Sequence, residues 1–287
     1  MEQYATVVIS YRRPELVAAV LEALARQSPP PAHVVVVDNA GDLSERVLTD
    51  SKLADRCTLV RRPDNPGYSA AVNEARVVAA GLGLPHLLVL THDARFEDDL
   101  VAQLAQAFQD DRVAAAAPVL RLASDPARVF SAGGRLTAGG RAWNTTVPAS
   151  HVEPYPVDWV DGAIVLYDVA ALDAIGGMDE RYFLYFEDVD TAWRLARSGR
   201  RTVIVPTAIA YQQPGAHPLY LGVRNMTLFA HVAGVPSYRS IPAVLRRVAE
   251  EAAWAVLHAR RPALGAAWRG WRDGRRGLSG HPPEGRA

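Results

Sequence analysis

Residues Gly176-Gly177-Met178-Asp179-Glu180-Arg181-Tyr182-Phe183-Leu184-Tyr185-Phe186-Glu187-Asp188-Val189-Asp190 carry the densest chemistry in the chain. Glu187, Asp188 and Asp190 fall within four positions, behind an aromatic run and ahead of Thr191–Ser198, whose spacing predicts a helix. A carboxylate at a helix N-terminus is favoured by the helix dipole, and one acid is enough to cap it. Three acids beside aromatic side chains make a setting in which a carboxyl pKa is perturbed and the group can act as a general base. Three further polar clusters, Ser10-Tyr11-Arg12, Asp38-Asn39 and His92-Asp93, each follow an apolar run.

The elements that must position these groups read as alternating strands and helices. Thr6–Ser10, His33–Val37, Cys57–Val60 and Leu87–Leu90 are apolar and largely β-branched, hence strands; Glu15–Arg26 and Ala70–Ala80 have helical spacing. Pro14 suits the first turn of its helix. This alternation implies βαβ units and a mostly parallel sheet, whose ligands sit beyond the carboxyl ends of the strands, where the three clusters stand. Beyond residue 115 the pattern is less regular. Gly133-Gly134 and Gly139-Gly140 bracket a hairpin or loop, Trp159–Tyr167 reads as a strand leading into a helix, Val169–Ile175 as a helix, and Arg201–Pro206 as a strand. From Ser240 the chain turns helical and basic. Ile241, Leu245, Val248, Ala252 and Val256 mark one face; Arg246, Arg247, Glu250 and Glu251 mark the other; Trp254, Trp268 and Trp271 accompany them. Such a segment fits an anionic membrane surface, and equally a helix packed on the domain or on a second subunit. The tail Ser279–Ala287 is expected to be disordered.

Bulk properties narrow the field. The chain has 287 residues with 49% hydrophobic and 22% charged, the proportions of an ordinary globular domain. Net charge is zero, so nothing global argues for a nucleic-acid partner. The one cysteine, Cys57, cannot form an intramolecular disulfide, which fits a reducing compartment. No basic leader precedes the first strand and no apolar stretch reaches a membrane span, so the expected location is cytoplasmic, with a peripheral position at the inner membrane face left open.

The Gly176–Asp190 stretch resembles the GGFDE…EDxD signature of family-two glycosyltransferases, in particular the rhamnosyl- and galactofuranosyl-transferase branch. Val7–Arg13, Val35–Ala40 and Asn65-Pro66-Gly67-Tyr68-Ser69-Ala70-Ala71-Val72-Asn73 resemble three upstream motifs of that family, in order and at usual spacing. The resemblance runs from residue 6 to about 230. It implies a GT-A fold: an α/β domain with a mostly parallel central sheet flanked by helices, here with a C-terminal helical extension. Residues 1–115 would form the nucleotide-sugar-binding half, 116–235 the acceptor-binding and catalytic half, and 236–287 the basic extension with its tail.

The resemblance also assigns roles. Ser10, Tyr11 and Arg13 would border the nucleotide. Asp38 would accept the imide N–H of uracil or thymine, favouring a UDP- or dTDP-sugar, although a strand-end Asp also caps its own turn. Asn65, Gly67 and Asn73 would shape the wall near base and ribose. Asp93 stands at the last acid of a DxD-type motif and would hold Mg²⁺ or Mn²⁺ against the diphosphate. Asp188 would be the base that deprotonates an acceptor hydroxyl for in-line, inverting transfer of a hexose or deoxyhexose. Glu187 and Asp190 would orient the loop or bind acceptor, and Trp159, Asp161 and Gly162 would wall the acceptor and donor sugar. Arg224, with Asn225, resembles a late pair that meets diphosphate or merely solvates a helix.

Two departures bear on the cation. Thr91 replaces the first acid of DxD, and Gln212 or Gln213 stands where the family often has a histidine, unless His217 reaches back. A nucleotidyltransferase is disfavoured, because Tyr11-Arg12-Arg13-Pro14 lacks the glycines that hold a triphosphate. The alternative of another class is a non-catalytic nucleotide-sugar-binding or scaffolding homologue. The acceptor would belong to a cell-envelope glycan, a lipid-linked intermediate or a secondary metabolite, and a homodimer or membrane contact would run through the basic helix.

Overall fold

The computed structural model describes residues 3–215 and 217–282. The first part of the chain holds β1 (Tyr4–Ser10), α1 (Pro14–Arg26), β2 (His33–Asp38), a short α2 (Arg46–Thr49), β3 (Cys57–Arg61), α3 (Tyr68–Gly81) and β4 (His86–Thr91). Then come β5 (Arg95–Phe96), α4 (Leu100–Ala105), β6 (Val113–Leu122), β7 (Asp125–Ser131), β8 (Gly134–Leu136), β9 (Ala142–Asn144), β10 (Tyr155–Val157) and β11 (Ile164–Asp168). The last part comprises α5 (Val169–Ala174), α6 (Glu187–Arg197), β12 (Arg201–Gln212), α7 (Leu219–Val232), α8 (Ser237–Leu257) and α9 (Leu264–Arg275).

The main sheet has the order β10-β12-β6-β11-β4-β1-β2-β3, with β5 added to β12 and β7 to β6. Strands β1 to β4 pair in parallel, and so do β6 and β12. Val34–Val37 have no exposure at all, because both faces of the sheet are covered; such strands read as continuous apolar runs rather than alternations. Apolar residues on the two faces form two separate core clusters, one under α1 and α4, the other under α3 and α5.

Strands β5, β7, β10 and β11 pair antiparallel, and the site depends on β11, the one in the middle of the sheet. β11 runs antiparallel to both of its neighbours, β4 and β6, with Ile164 opposite Leu90. A reversed strand brings the residues that precede it, rather than those that follow it, to the carboxyl edge of the parallel strands. Asp161, Gly162 and Ala163 therefore lie beside the end of β4, and the Thr91 amide donates to the Ala163 carbonyl at 3.1 Å.

Several boundaries differ from the expectations. The segment read as a strand from Trp159 begins pairing in the main sheet only at Ile164; Trp159 makes an isolated bridge to Gly134. Helix α6 starts at Glu187, so the three acids lie inside its first turn. Strand β12 continues past Pro206 to Gln212, because a register shift between Val205 and Ile209 removes the need for an N–H at the proline. The glycine-bracketed segment is the hairpin β8–β9. The basic segment is two helices. Its second, α9, packs closely on α7 through Gly270 and Gly274, where any Cβ would overlap the Tyr220 and Arg224 carbonyls. The tail expected to be disordered is ordered as far as it is described. Gly280 donates its amide to Arg181 O at 2.7 Å and His281 packs edge-on against Phe183, while residues 283–287 lie outside the described residues.

Candidate active site

The aromatic loop ahead of α6 is held in an unusual backbone. Phe183, Tyr185 and Phe186 have φ of 67°, 69° and 74°, the left-handed region that bulky residues avoid. Such strain persists only where the surroundings over-determine it. Here Asn225 of α7 places its amide nitrogen within 3.0, 2.8 and 2.7 Å of the Tyr182, Leu184 and Tyr185 carbonyls. Arg224 Nη2 donates to the Tyr182 carbonyl at 2.8 Å, and the Tyr68 amide to the Phe183 carbonyl at 2.8 Å. Gly67 has φ 103° and leaves no room for a Cβ beneath that carbonyl.

This loop delivers Glu187 and Asp188 to a cavity of about 500 Å³ that also takes in Tyr68, Thr91, Trp159, Asp161 and Gln212. Three carboxyls thus meet at low dielectric. Burial, and then the charge of Asp161, raises Asp188 to about 7, although the Val189 and Gly162 amides partly offset this. Burial raises Asp161 to about 6, with the charge of Asp93 adding to it. Burial followed by the charge of Asp188 pushes Glu187 well above the ordinary carboxylate range. A carboxylate poised near neutrality is suited to take a proton.

A second cavity of about 370 Å³ lies between the ends of β1, β2 and β4 and the aromatic loop. Tyr11, Asn39, Asn65, Gly67, His92 and Asp93 line it, with His281 and Pro282 from the C-terminal segment. Tyr68, Thr91, Leu184 and Pro218 line both cavities, so the two adjoin.

The structure brings together most of the expected residues, but not all. Tyr11, Asn65, Gly67 and Asp93 border the smaller cavity; Trp159, Asp161, Gly162, Glu187, Asp188, Gln212 and His217 border the larger. His217 packs its ring 4.4 Å from that of Tyr185, and burial lowers its pKa. Ser10 is fully buried, and Arg13 is exposed and paired with Glu15 at 2.6 Å. Asp38 is fully buried, and its carboxylate accepts the amides of Ala40, Gly41 and Leu43 at 3.1, 2.9 and 2.8 Å: it caps its own turn. The polar side chain facing the cavity there is its neighbour Asn39, whose Oδ1 is buried without a hydrogen-bond partner among the described residues. Asn73 is spent on the Met178 backbone and Glu180. Asp190 is buried and braced by Arg194 at 2.6 Å and the Tyr182 hydroxyl at 3.2 Å. Arg224, expected near diphosphate, is 1% exposed; besides the Tyr182 carbonyl it holds Gly280 O at 2.8 Å.

The oxygen donors at the junction fit a hard divalent cation. Asp93 supplies one carboxylate, and Thr91 Oγ1 and Gln212 Oε1 are buried with no hydrogen-bond partner among the described residues. No group of three His, Cys, Asp or Glu side chains is arranged to hold a metal ion among the described residues, so the set suits an ion that takes its remaining ligands from phosphate and water, as Mg²⁺ and Mn²⁺ do.

Some lining residues escaped the sequence reading. Tyr68 reaches across to donate its hydroxyl to the Gly162 carbonyl, and Arg141, Trp143 and Arg247 come from the turn before β9, from β9 and from α8. Tyr68 stood in a quoted motif and was legible there; the others had no local signal.

A family model described as "Glycosyltransferase like family 2" matches residues 2–230. Over 68 residues the chain is 43% identical to the N-acetylglucosaminyl-diphospho-decaprenol L-rhamnosyltransferase of Mycobacterium tuberculosis, a match covering 23% of this chain and only 22% of that one. It is 28% identical over 205 residues to galactofuranosyltransferase GlfT1 of Mycolicibacterium smegmatis, covering 69% and 67%. The crystal structure of GalNAc-T7 with UDP, GalNAc and Mn²⁺ superimposes with a TM-score of 0.62 at 13% identity, over 81% of this chain and 48% of that one, which places the present fold in the GT-A class.

Proposed function

Because this chain belongs to that family-two group of glycosyltransferases, we propose that it transfers a hexose or deoxyhexose from a UDP- or dTDP-sugar to an acceptor hydroxyl, with inversion. The observation that carries the reading is the position of Asp188, a buried carboxyl raised to about 7 in a cavity that adjoins the one lined by Asp93.

In this reading the nucleotide lies in the smaller cavity, its base against Tyr11 and its imide N–H donated to Asn39 Oδ1, which takes the part first expected of Asp38. The acceptor enters the larger cavity. Asp188 accepts the proton of the acceptor hydroxyl as that oxygen forms its bond to the anomeric carbon. The bond from that carbon to the diphosphate oxygen breaks on the opposite face, and the nucleoside diphosphate leaves with the electron pair. Trp159 and Tyr185 line the cavity that would take the sugar, and positioning there supplies much of the acceleration. Asp93, with Thr91 and Gln212 nearby, would hold a divalent cation, which when bound neutralises charge on the leaving diphosphate. Mn²⁺ and UDP in the GalNAc-T7 structure support that assignment by analogy of fold.

Arg141 and Arg247 line the larger cavity already paired with Glu250 and Glu251, so they do not by themselves select an anionic acceptor. The lipid diphosphate in the name of the rhamnosyltransferase relative supports a lipid-linked acceptor by analogy alone. The test is nucleoside diphosphate release from a panel of UDP-, dTDP- and GDP-sugars, with Mn²⁺ or chelator, and with Asp188→Asn as control. Full activity in Asp188→Asn sinks the mechanism. Full activity in chelator removes the cation and leaves the transferase. Donor binding without turnover by any acceptor favours the non-catalytic scaffold.

A further inference from the structure

Helix α8 turns its apolar stripe away from the protein. Its only fully buried residues are Val244 and Ala255, on the side that meets α7 and α9. On that inner side Arg247 reaches the larger cavity and Glu250 pairs with Arg141 at 2.7 Å. The outer side carries Tyr238, Ile241, Leu245 and Val256, which are 72%, 37%, 63% and 64% exposed. At 100° per residue these four, with Pro242 and Ala249, fall within an arc of about 100° that contains no charged residue. Ile241, at one edge of the arc, borders a cavity shared with α7 and α9, while Tyr238, Leu245 and Val256 lie open.

The border of the stripe is basic. Arg239 and Arg246 lie along one edge, and Arg260 and Arg261 follow the helix, all exposed. The three described acids of this segment are already paired: Glu250 with Arg141 and Arg246, Glu251 with Arg247, Asp273 with Arg272. Arg239, Arg260 and Arg261 make no ion pair with a described residue. Trp254 and Trp268, under the guanidinium groups of Arg260 and Arg272 at 5.4 and 5.0 Å, lie off the stripe, Trp254 on the opposite side of α8 and Trp268 on α9. No described helix is long and apolar enough to cross a membrane, so contact would be in the plane of the surface.

We propose that the outer face of α8 docks this protein on a membrane bearing anionic phospholipid, the apolar stripe entering the headgroup boundary and the arginines meeting lipid phosphates. A second copy of the chain fits the surface less well. A two-fold contact through the stripe would bring the arginine edges together, and one helix stripe falls short of the ~800 Å² per partner of a stable interface. Docking would hold the larger cavity, walled by the inner face of the same helix, about one helix diameter (~10 Å) from the lipid. The inference stands on the surface of α8 alone and does not require the proposed transfer.

The full chain is sedimented with vesicles of phosphatidylcholine alone or mixed with phosphatidylglycerol, at low and high salt. Binding is expected only with the mixed vesicles and weakens as salt rises. Arg239→Glu with Arg260→Glu and Arg261→Glu should weaken it by about a hundredfold or more, at ~1 kcal/mol per lost arginine. Leu245→Glu with Val256→Glu should abolish it at any salt, with an unchanged melting temperature because both side chains are already in water. Absence of binding to mixed vesicles, or binding that ignores the stripe variants, overturns the proposal. So does a concentration-dependent dimer, seen by analytical ultracentrifugation, that Leu245→Glu dissociates.

Discussion

Replacing Asp188 with asparagine removes one charge and almost no volume. The new side chain keeps one oxygen to accept the Val189 amide at 2.8 Å in the first turn of α6. What disappears is a carboxylate forced into a buried site beside Asp161 and Glu187. Its pKa rises from 3.8 in the ordinary state to about 7 in the fold. The folded chain therefore holds this proton over a pH range in which the unfolded chain has lost it, and the stability of the wild type declines as pH climbs through that window. At ~1.4 kcal/mol per pKa unit the loss is complete above neutrality and amounts to roughly 4 kcal/mol. Asparagine never ionises and escapes it. Asp188→Asn should thus melt near the wild type in mild acid and on the order of 10 °C higher at alkaline pH, while turnover falls by about 10²–10⁴, the usual worth of a general base. Thermal scans across pH, paired with nucleoside diphosphate release, measure both. A variant that melts below the wild type at alkaline pH, or that keeps its turnover, would refute the reasoning about this carboxyl.

The remaining expectations concern pH and the supports of the loop. In the wild type kcat/KM should decline as pH drops below about 7, since protonated Asp188 cannot accept the acceptor's proton; a flat profile down to pH 5 contradicts that role. Asn225→Ala strips the donor from the Leu184 and Tyr185 carbonyls, leaving the Tyr182 carbonyl to Arg224, and should cost roughly 2–4 kcal/mol in denaturant melts, with kcat lost at temperatures where the fold survives. Gly67→Ala meets both a positive φ and the Phe183 carbonyl, so stability should fall by at least ~2 kcal/mol; an unchanged melt would mean the loop yields freely. Arg224→Met keeps volume but removes the donor to the Gly280 carbonyl, and isothermal titration should register weaker donor binding if the smaller cavity, walled by His281 and Pro282, takes the nucleotide as proposed.

The sheet was legible in the sequence because Val34–Val37 and Leu87–Leu90 are buried on both faces and read as unbroken apolar runs. The direction of β11 was not, since nothing in Ile164–Asp168 distinguishes a parallel from an antiparallel neighbour, and the placement of Asp161 follows from that direction. Asp38 had the right residue type at the right strand end for either of two roles, and the sequence could not choose between them; three backbone amides of its own turn take its carboxylate. The Arg224-Asn225 pair was noticed as polar on a helix, but only the fold reveals that its partners are carbonyls some forty positions earlier. Periodicity in α8 gave a stripe, and periodicity says nothing of what covers it.

The clamp on the aromatic loop also orders events in time. Arg224 is anchored on one side by the Tyr182 carbonyl and on the other by Gly280, 56 positions further along, whose own amide closes on Arg181. During synthesis the sheet can form as soon as β12 has emerged, because every strand it needs precedes that point. The loop cannot be locked then. It waits for α7, for the glycine face of α9, and for Gly280 to leave the ribosome. A product cut short after β12 would hold the sheet but leave Asp188 on a loop that lacks the Arg224 and Asn225 clamp and keeps only the Tyr68 amide among its braces.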